Sequence, residues 1–283
     1  MSPQIDLFIP GPAGRLSVRT KGLEARPAHV VVMVQGSNLT GQTGFDLHVP
    51  GGTDYSVMEA MVARGIGAVT FALRGYGLSD APADPFTVQT DAAIEDLAAV
   101  IDWLAREGVA RPHLLGWSWG GRIGGRYAET RAEKIGRLVL MDPALGVPRP
   151  IMPMPEQAWW INSREDYLAR AEPQYCEPGA FEAFVEHVLR HDARAPNGIR
   201  MELSHGSTPV DPARLGMPVL LLYAAAAGRA AYMKGGLTRQ DFFEALASDD
   251  KAFIIVPDGG DYATIQRPRR RIHKEIADFL LEA

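Results

Sequence analysis

A single cysteine in 283 residues, Cys176, leaves no internal disulfide and no cysteine-based metal cage. Long apolar runs are also missing. The longest, Val219 to Ala227, is too short to span a bilayer. Met1 to Pro12 has neither the basic start nor the apolar core of a secretory leader, so a soluble cytoplasmic protein is expected. There is no excess of positive charge. Lys plus Arg total 29 against 34 for Asp plus Glu, a net charge of -5, which is no nucleic-acid footprint. The densest basic cluster, Arg267 to Arg271, reads as the solvated face of a helix. Histidine is scarce, at seven residues, and that scarcity governs the chemistry below.

What is present suits a globular enzyme-sized chain: 46% hydrophobic and 22% charged residues can bury a substantial core. At about 150 residues per domain the length suggests two units, or one large unit with an insertion. Short apolar runs alternate with helical patterns, the signature of βα units and a mostly parallel sheet. Strands are expected at Arg15–Lys21, Val30–Val34, Ala68–Leu73, His113–Gly116, Leu138–Met141, Val219–Tyr223 and Ala252–Val256. Helices are expected at Asp54–Arg64, Asp91–Arg106, Gly120–Ala132, Asp241–Ala247 and Arg270–Leu281. The stretch between Asp142 and Val219 has no strand pattern of its own and is too long for a bare loop. It reads as an inserted helical subdomain, residues 147–217, interrupting a core of 1–146 and 218–283. Its Trp159, Trp160 and Met residues could form a small core of their own or line a pocket shared with the sheet.

Gly116-Trp117-Ser118-Trp119-Gly120-Gly121 matches G-x-S-x-G, with a strand leading in and a Gly-rich helix leading out. A turn that tight needs small flanking residues, and it lifts the serine hydroxyl above the sheet edge. The helix N-terminus then favours negative charge developing there. A phosphate loop would need a G-x-G start or a following Lys, and the 116–121 run has neither; Gly75-Tyr76-Gly77 is not followed by a Lys either and is dismissed likewise.

With these residues the chain resembles the α/β-hydrolase fold family over nearly its whole length. Gln35-Gly36-Ser37 is similar to that family's oxyanion loop, Arg74 to Ser79 to the turn after its next strand, and the insertion falls where the family carries its cap. The resemblance implies Ser118 as nucleophile and the backbone N–H groups of Ser37 and Trp119 as the oxyanion hole. Gln35 stands where a histidine is usual, which the main-chain donors tolerate.

The rest of the triad is substituted. The family places its acid after the Val219–Tyr223 strand, where this chain has four alanines at 224–227. The family's histidine follows the last strand, where Tyr262, or alternatively Asp261, takes the place. Asp142, at the end of the Leu138–Met141 strand, could replace the missing acid. A serine hydroxyl needs a base within reach. His29 and His113 begin strands, at the wrong end of the sheet, and His273 reads as a surface residue of the last helix. His187 and His191 share a helix face but lack a third metal ligand. His48 and His205 remain as displaced-base candidates. Tyr262, with an ordinary pKa of about 10, is better suited to donate a hydrogen bond than to accept a proton.

The expectation is a non-standard serine hydrolase acting on an ester or related acyl substrate. The alternatives are a non-hydrolytic lyase, isomerase or cyclase on the same fold, or a catalytically inactive binding relative. Gln35, Trp117, Trp159 and Trp160 are the expected substrate-binding residues, for a small apolar or aromatic ligand. No cofactor, metal, nucleic-acid partner or membrane is expected, and the sequence does not give the oligomeric state.

Overall fold

The computed structural model describes residues 3–170, 172–227 and 238–282. Its sheet grows from a core of continuous apolar runs. In chain order the first strands are β1 (Gln4–Gly11), β2 (Gly14–Lys21), β3 (His29–Val34) and β4 (Ile66–Phe71). They are followed by β5 (His113–Trp117) and β6 (Leu138–Met141). Two short strands, β7 (Trp159–Ile161) and β8 (Arg194–Pro196), lie in the insertion, and β9 (Val219–Ala224) and β10 (Lys251–Val256) close the set. The main sheet runs β1-β2-β4-β3-β5-β6-β9-β10, parallel from β4 to β10, with β1 and β2 antiparallel at one edge.

Alternation along the central strands feeds two cores. Val30, Val32 and Val34 of β3 face one side of the sheet, while Val31 and Met33 face the other. Strand β9 divides likewise, Leu221 and Tyr223 against Leu220 and Leu222. Strands buried on both faces need apolar residues at every position, which is why they read as unbroken Val/Leu runs. Helices α1 (Gly41–Phe45) and α2 (Val57–Val62) follow β3. Both are started by side-chain caps, Thr40 Oγ1 on the Thr43 N–H and Ser56 Oγ on the Glu59 N–H. Helix α3 (Thr90–Arg106) buries Ile94, Leu97, Ile101 and Leu104 as one stripe beside α4 (Trp119–Arg131).

The insertion holds α5 (Arg164–Leu168), α6 (Ala180–His191) and α7 (Gly198–His205), and it is not purely helical. β7 and β8 pair antiparallel, Trp160 opposite Ala195, in runs of three residues too short to show a period of two. Helices α8 (Arg239–Glu244) and α9 (Arg269–Leu281) complete the description. Among the described residues no helix is long and apolar enough to cross a membrane.

Two expectations for α9 are corrected. His273 is buried, not at the surface. Arg269 is also buried, paired with Glu177 at 2.9 Å and stacked on Tyr55, so the basic cluster is not wholly solvated. Burial, with Arg269 nearby, pushes the His273 pKa down to about 4, and burial beside His29 does the same to His113. The unfolded chain titrates these groups near 6.5, so it binds more protons than the folded chain between about 6.5 and 4. Both groups therefore stabilise fully above about pH 6.5 and lose that contribution as pH falls toward 4, by up to about 1.4 kcal/mol per pH unit each. Melting temperatures from pH 7.5 to 4.5 should decline, and His273→Leu should flatten the decline. A slope unchanged in that variant would contradict the assignment.

Candidate active site

Strand order reverses between β3 and β5, because β4 lies on one side of this pair and β6 on the other. In open α/β sheets the crevice beyond the strand C-termini at such a point is where ligands bind. Here the loop after β3 (Gln35 to Thr40) and the turn after β5 (Ser118) meet: a Cβ on Gly36 would sit 3.6 Å from the Ser118 Cβ.

Ser118 is a non-glycine residue with φ 57 and ψ -115, a strained conformation costing about 1–3 kcal/mol. Its surroundings over-determine it. The Ser118 N–H donates to Met141 O at 3.1 Å, and its carbonyl accepts from Gly121 and Ala144 N–H at 3.1 and 2.8 Å. Ser118 lines a cavity of about 370 Å³, together with Ser37, Trp117, Trp119, Asp261 and Tyr262. Neither the Ser37 nor the Trp119 N–H donates to another described residue. The Ser37 carbonyl is held by the Tyr76 hydroxyl at 2.8 Å. Gln35 is not on the cavity wall. Its side-chain oxygen accepts from the Gly41 and Leu73 N–H groups, at 3.2 and 3.3 Å, and so shapes the loop that carries Ser37.

Tyr262 enters from the turn after β10 and packs among aromatic rings: Trp117 edge-on at 6.3 Å, Phe181 at 5.3 Å and Phe184 at 5.4 Å between centroids. The turn is tethered to the insertion. Glu172 accepts from the Asp261 N–H at 3.1 Å and from Gln266 Nε2 at 3.2 Å, while Gln266 Oε1 accepts from the Gly260 N–H at 2.7 Å. Tyr167, also on the cavity wall, has its hydroxyl pKa pushed up, chiefly by burial and then by Tyr262.

Asp142 does not line the cavity. It is buried at the end of β6 with φ 40, and its Oδ1 accepts the Ala224 N–H at 3.0 Å, joining the ends of β6 and β9. Trp159 and Trp160 do not line the cavity; they stack against Arg194 and Arg200. None of the seven histidines lines the cavity. His48 is exposed with Nδ1 against Asp46 O, and His205 is exposed with Nδ1 against Met201 O. Neither displaced-base expectation is met. Asp46, His48 and Glu59 cluster as metal ligands could, but the Lys21 ammonium already lies 2.8 and 2.7 Å from the two carboxylates.

Three arginines on the wall were not anticipated: Arg122, Arg170 and Arg200. Arg122 pairs with Glu202 of α7 at 3.0 Å, and Glu202 also accepts from the Thr90 N–H and hydroxyl. Thr90 Oγ1 in turn accepts from Trp119 Nε1 at 3.0 Å, so Glu202 ties the insertion to the helix that follows Ser118.

The sequence model of the Alpha/beta hydrolase family matches residues 43–274. The chain belongs to this family. It is 30% identical over 130 residues, 46% of its own length, to the 2-hydroxy-6-oxononadienedioate/2-hydroxy-6-oxononatrienedioate hydrolase of Burkholderia vietnamiensis. That alignment spans 41% of the relative, less than half of it. Among solved structures, the enol-lactonase from Burkholderia xenovorans LB400 superposes with a TM-score of 0.69 at 17% identity, over 98% of this chain and all of that one. The esterase EaEST from Exiguobacterium antarcticum gives 0.69 at 15%, over 98% and 100% of the two chains. At such identities the agreement establishes the fold: the mostly parallel sheet flanked by helices is that of the α/β hydrolases.

Proposed function

We propose that the protein is a serine hydrolase of ester or related acyl substrates that works without a histidine base. The observation carrying this reading is the Ser118 elbow, strained and facing a cavity beside two N–H donors that no described residue uses. Strain of this kind persists where the surrounding structure over-determines it, typically at functional sites. Hydrolysis is also what the name of the 30%-identical relative states for that protein.

In this reading Ser118 Oγ attacks the acyl carbon, and the developing oxyanion is held by the Ser37 and Trp119 N–H groups. Asp261, the carboxylate lining the cavity among the described residues, receives the serine proton. The neutral Tyr262 phenol donates a hydrogen bond to the leaving oxygen, and the alcohol departs with the proton from Asp261. Water then cleaves the Ser118 ester by the same route, returning the proton to Ser118. Asp142 acts by positioning, through the Ala224 N–H, and does not touch substrate. A carboxylate is a weaker base than an imidazole, so turnover should be slow.

The absence of histidine from the cavity wall favours a second reading, in which the same amides and Tyr262 bind and polarise a carbonyl without hydrolysis. A serine-directed fluorophosphonate separates the two. Wild type should label slowly, and Ser118→Ala should not label. No labelling of a folded wild type would sink the hydrolase reading and leave the second.

A further inference from the structure

Arg200, on α7, contributes a cation to the Ser118 cavity that forms no ion pair with a described carboxylate, Asp166 acting on it only through space. Its guanidinium donates to Asn197 Oδ1 at 2.9 Å and to Asn38 Oδ1 at 2.8 Å, and it stacks 3.9 Å from the centroid of Trp160. These partners are all neutral. They fix the plane of the guanidinium without compensating its charge, and two of its five N–H groups are used. Burial pushes its pKa down, yet an arginine does not deprotonate in a protein. A preorganised, partly desolvated cation is thus maintained at a cost that a bound anion would offset. Arg170, on the same wall, donates to the Asp166 carbonyl and likewise has no carboxylate partner among the described residues.

Resting on the hydrolase reading for its reaction, we propose that the substrate of this cavity carries a carboxylate close to the acyl carbonyl, held by Arg200 with Arg170 beside it. Closeness follows from connectivity. Asn38, which holds Arg200, directly follows Ser37, the oxyanion residue, and consecutive Cα atoms are about 3.8 Å apart. A short carbon spacer between carbonyl and anion therefore fits. A planar carboxylate matches the guanidinium fork. Asp261 on the opposite account adds a negative charge to the wall, which disfavours a doubly charged phosphate. This changes the ligand class expected from the Trp and Met residues: an apolar body remains, with an acidic end.

The test compares monomethyl succinate with dimethyl succinate, two esters of similar size that differ by one charge. In Ser118→Ala protein, where the serine route is closed, calorimetry should give a Kd at least tenfold lower for the monoester. Added Arg200→Gln should bring the two ligands within about twofold, and Arg170→Gln should narrow the gap less. Equal affinities, no binding of either ester, or a preference surviving Arg200→Gln would overturn the proposal. The first comparison needs no change at Arg200, so it decides even if that variant fails to fold. Turnover is read separately with wild type. Binding preference without hydrolysis would sink the hydrolase reading and leave the carboxylate site standing; hydrolysis without preference would do the reverse.

Discussion

A Tyr262→His, Ala227→Asp double variant should hydrolyse p-nitrophenyl acetate at least about 100-fold faster than wild type, the low end of what a positioned general base supplies. The scaffold for that gain is in place. Ser118 sits on a strained elbow, and Ser37 and Trp119, whose N–H groups donate to no other described residue, line the same cavity. Tyr262 lines that cavity from the turn after β10, and Ala227, beyond the end of β9, is buried in the same apolar cluster. Imidazole is smaller than phenol, so it enters the ring of Trp117, Phe181 and Phe184 without overpacking. Burial among those rings would lower its pKa, and an aspartate at 227 would raise it back toward neutrality. The carboxylate also orients the ring, so Tyr262→His alone should gain much less. Activity should rise with pH through the imidazole pKa, as the neutral form takes over. A folded double variant with wild-type activity would mean that 262 is not where a base can reach Ser118.

The parallel centre of the sheet was legible because both its faces are covered. Strands such as β3 and β9 show unbroken Val/Leu runs that only a doubly buried strand tolerates. Strand β1 was missed for the opposite reason. It lies at the sheet edge with Ile5 and Phe8 exposed and Ile9 alone fully buried, so no period of two stands out. Ser118 was legible because its geometry is local: strand, turn and helix follow one another within a few residues. Arg200 was not. It reaches the cavity through the packing of α7 on α4, fixed by Glu202 with Arg122 and Thr90, and no spacing in the chain announces that contact. His273 was misread because arginines surround it in sequence, while the apolar stripe of Ile272 and Ile276 turns it inward.

Glycine at 120 should prove the least replaceable residue of the elbow. A Cβ there would lie 2.6 Å from Gln35 O and closer still to Val34 O, both backbone atoms at the end of β3. Because β3 is held between β4 and β5, that backbone cannot withdraw. The same approach brings the loop that carries Ser37 up to Ser118, so relieving the clash would also pull Ser37 away from Ser118. Gly120→Ala should therefore cost about 3 kcal/mol or more, a fall of roughly 10 °C in Tm, and labelling of Ser118 should disappear with it. Gly124→Ala, one turn further along α4, is the matched control. Its Cβ would meet Leu138 Cδ1 at an ordinary 3.6 Å, and alanine is the better helix former by about 1 kcal/mol. That variant should melt at or above the wild-type temperature and label normally. If Gly120→Ala melts with it, the close approach of β3 to the elbow is wrong, and the placement of the Ser37 N–H beside Ser118 loses its support.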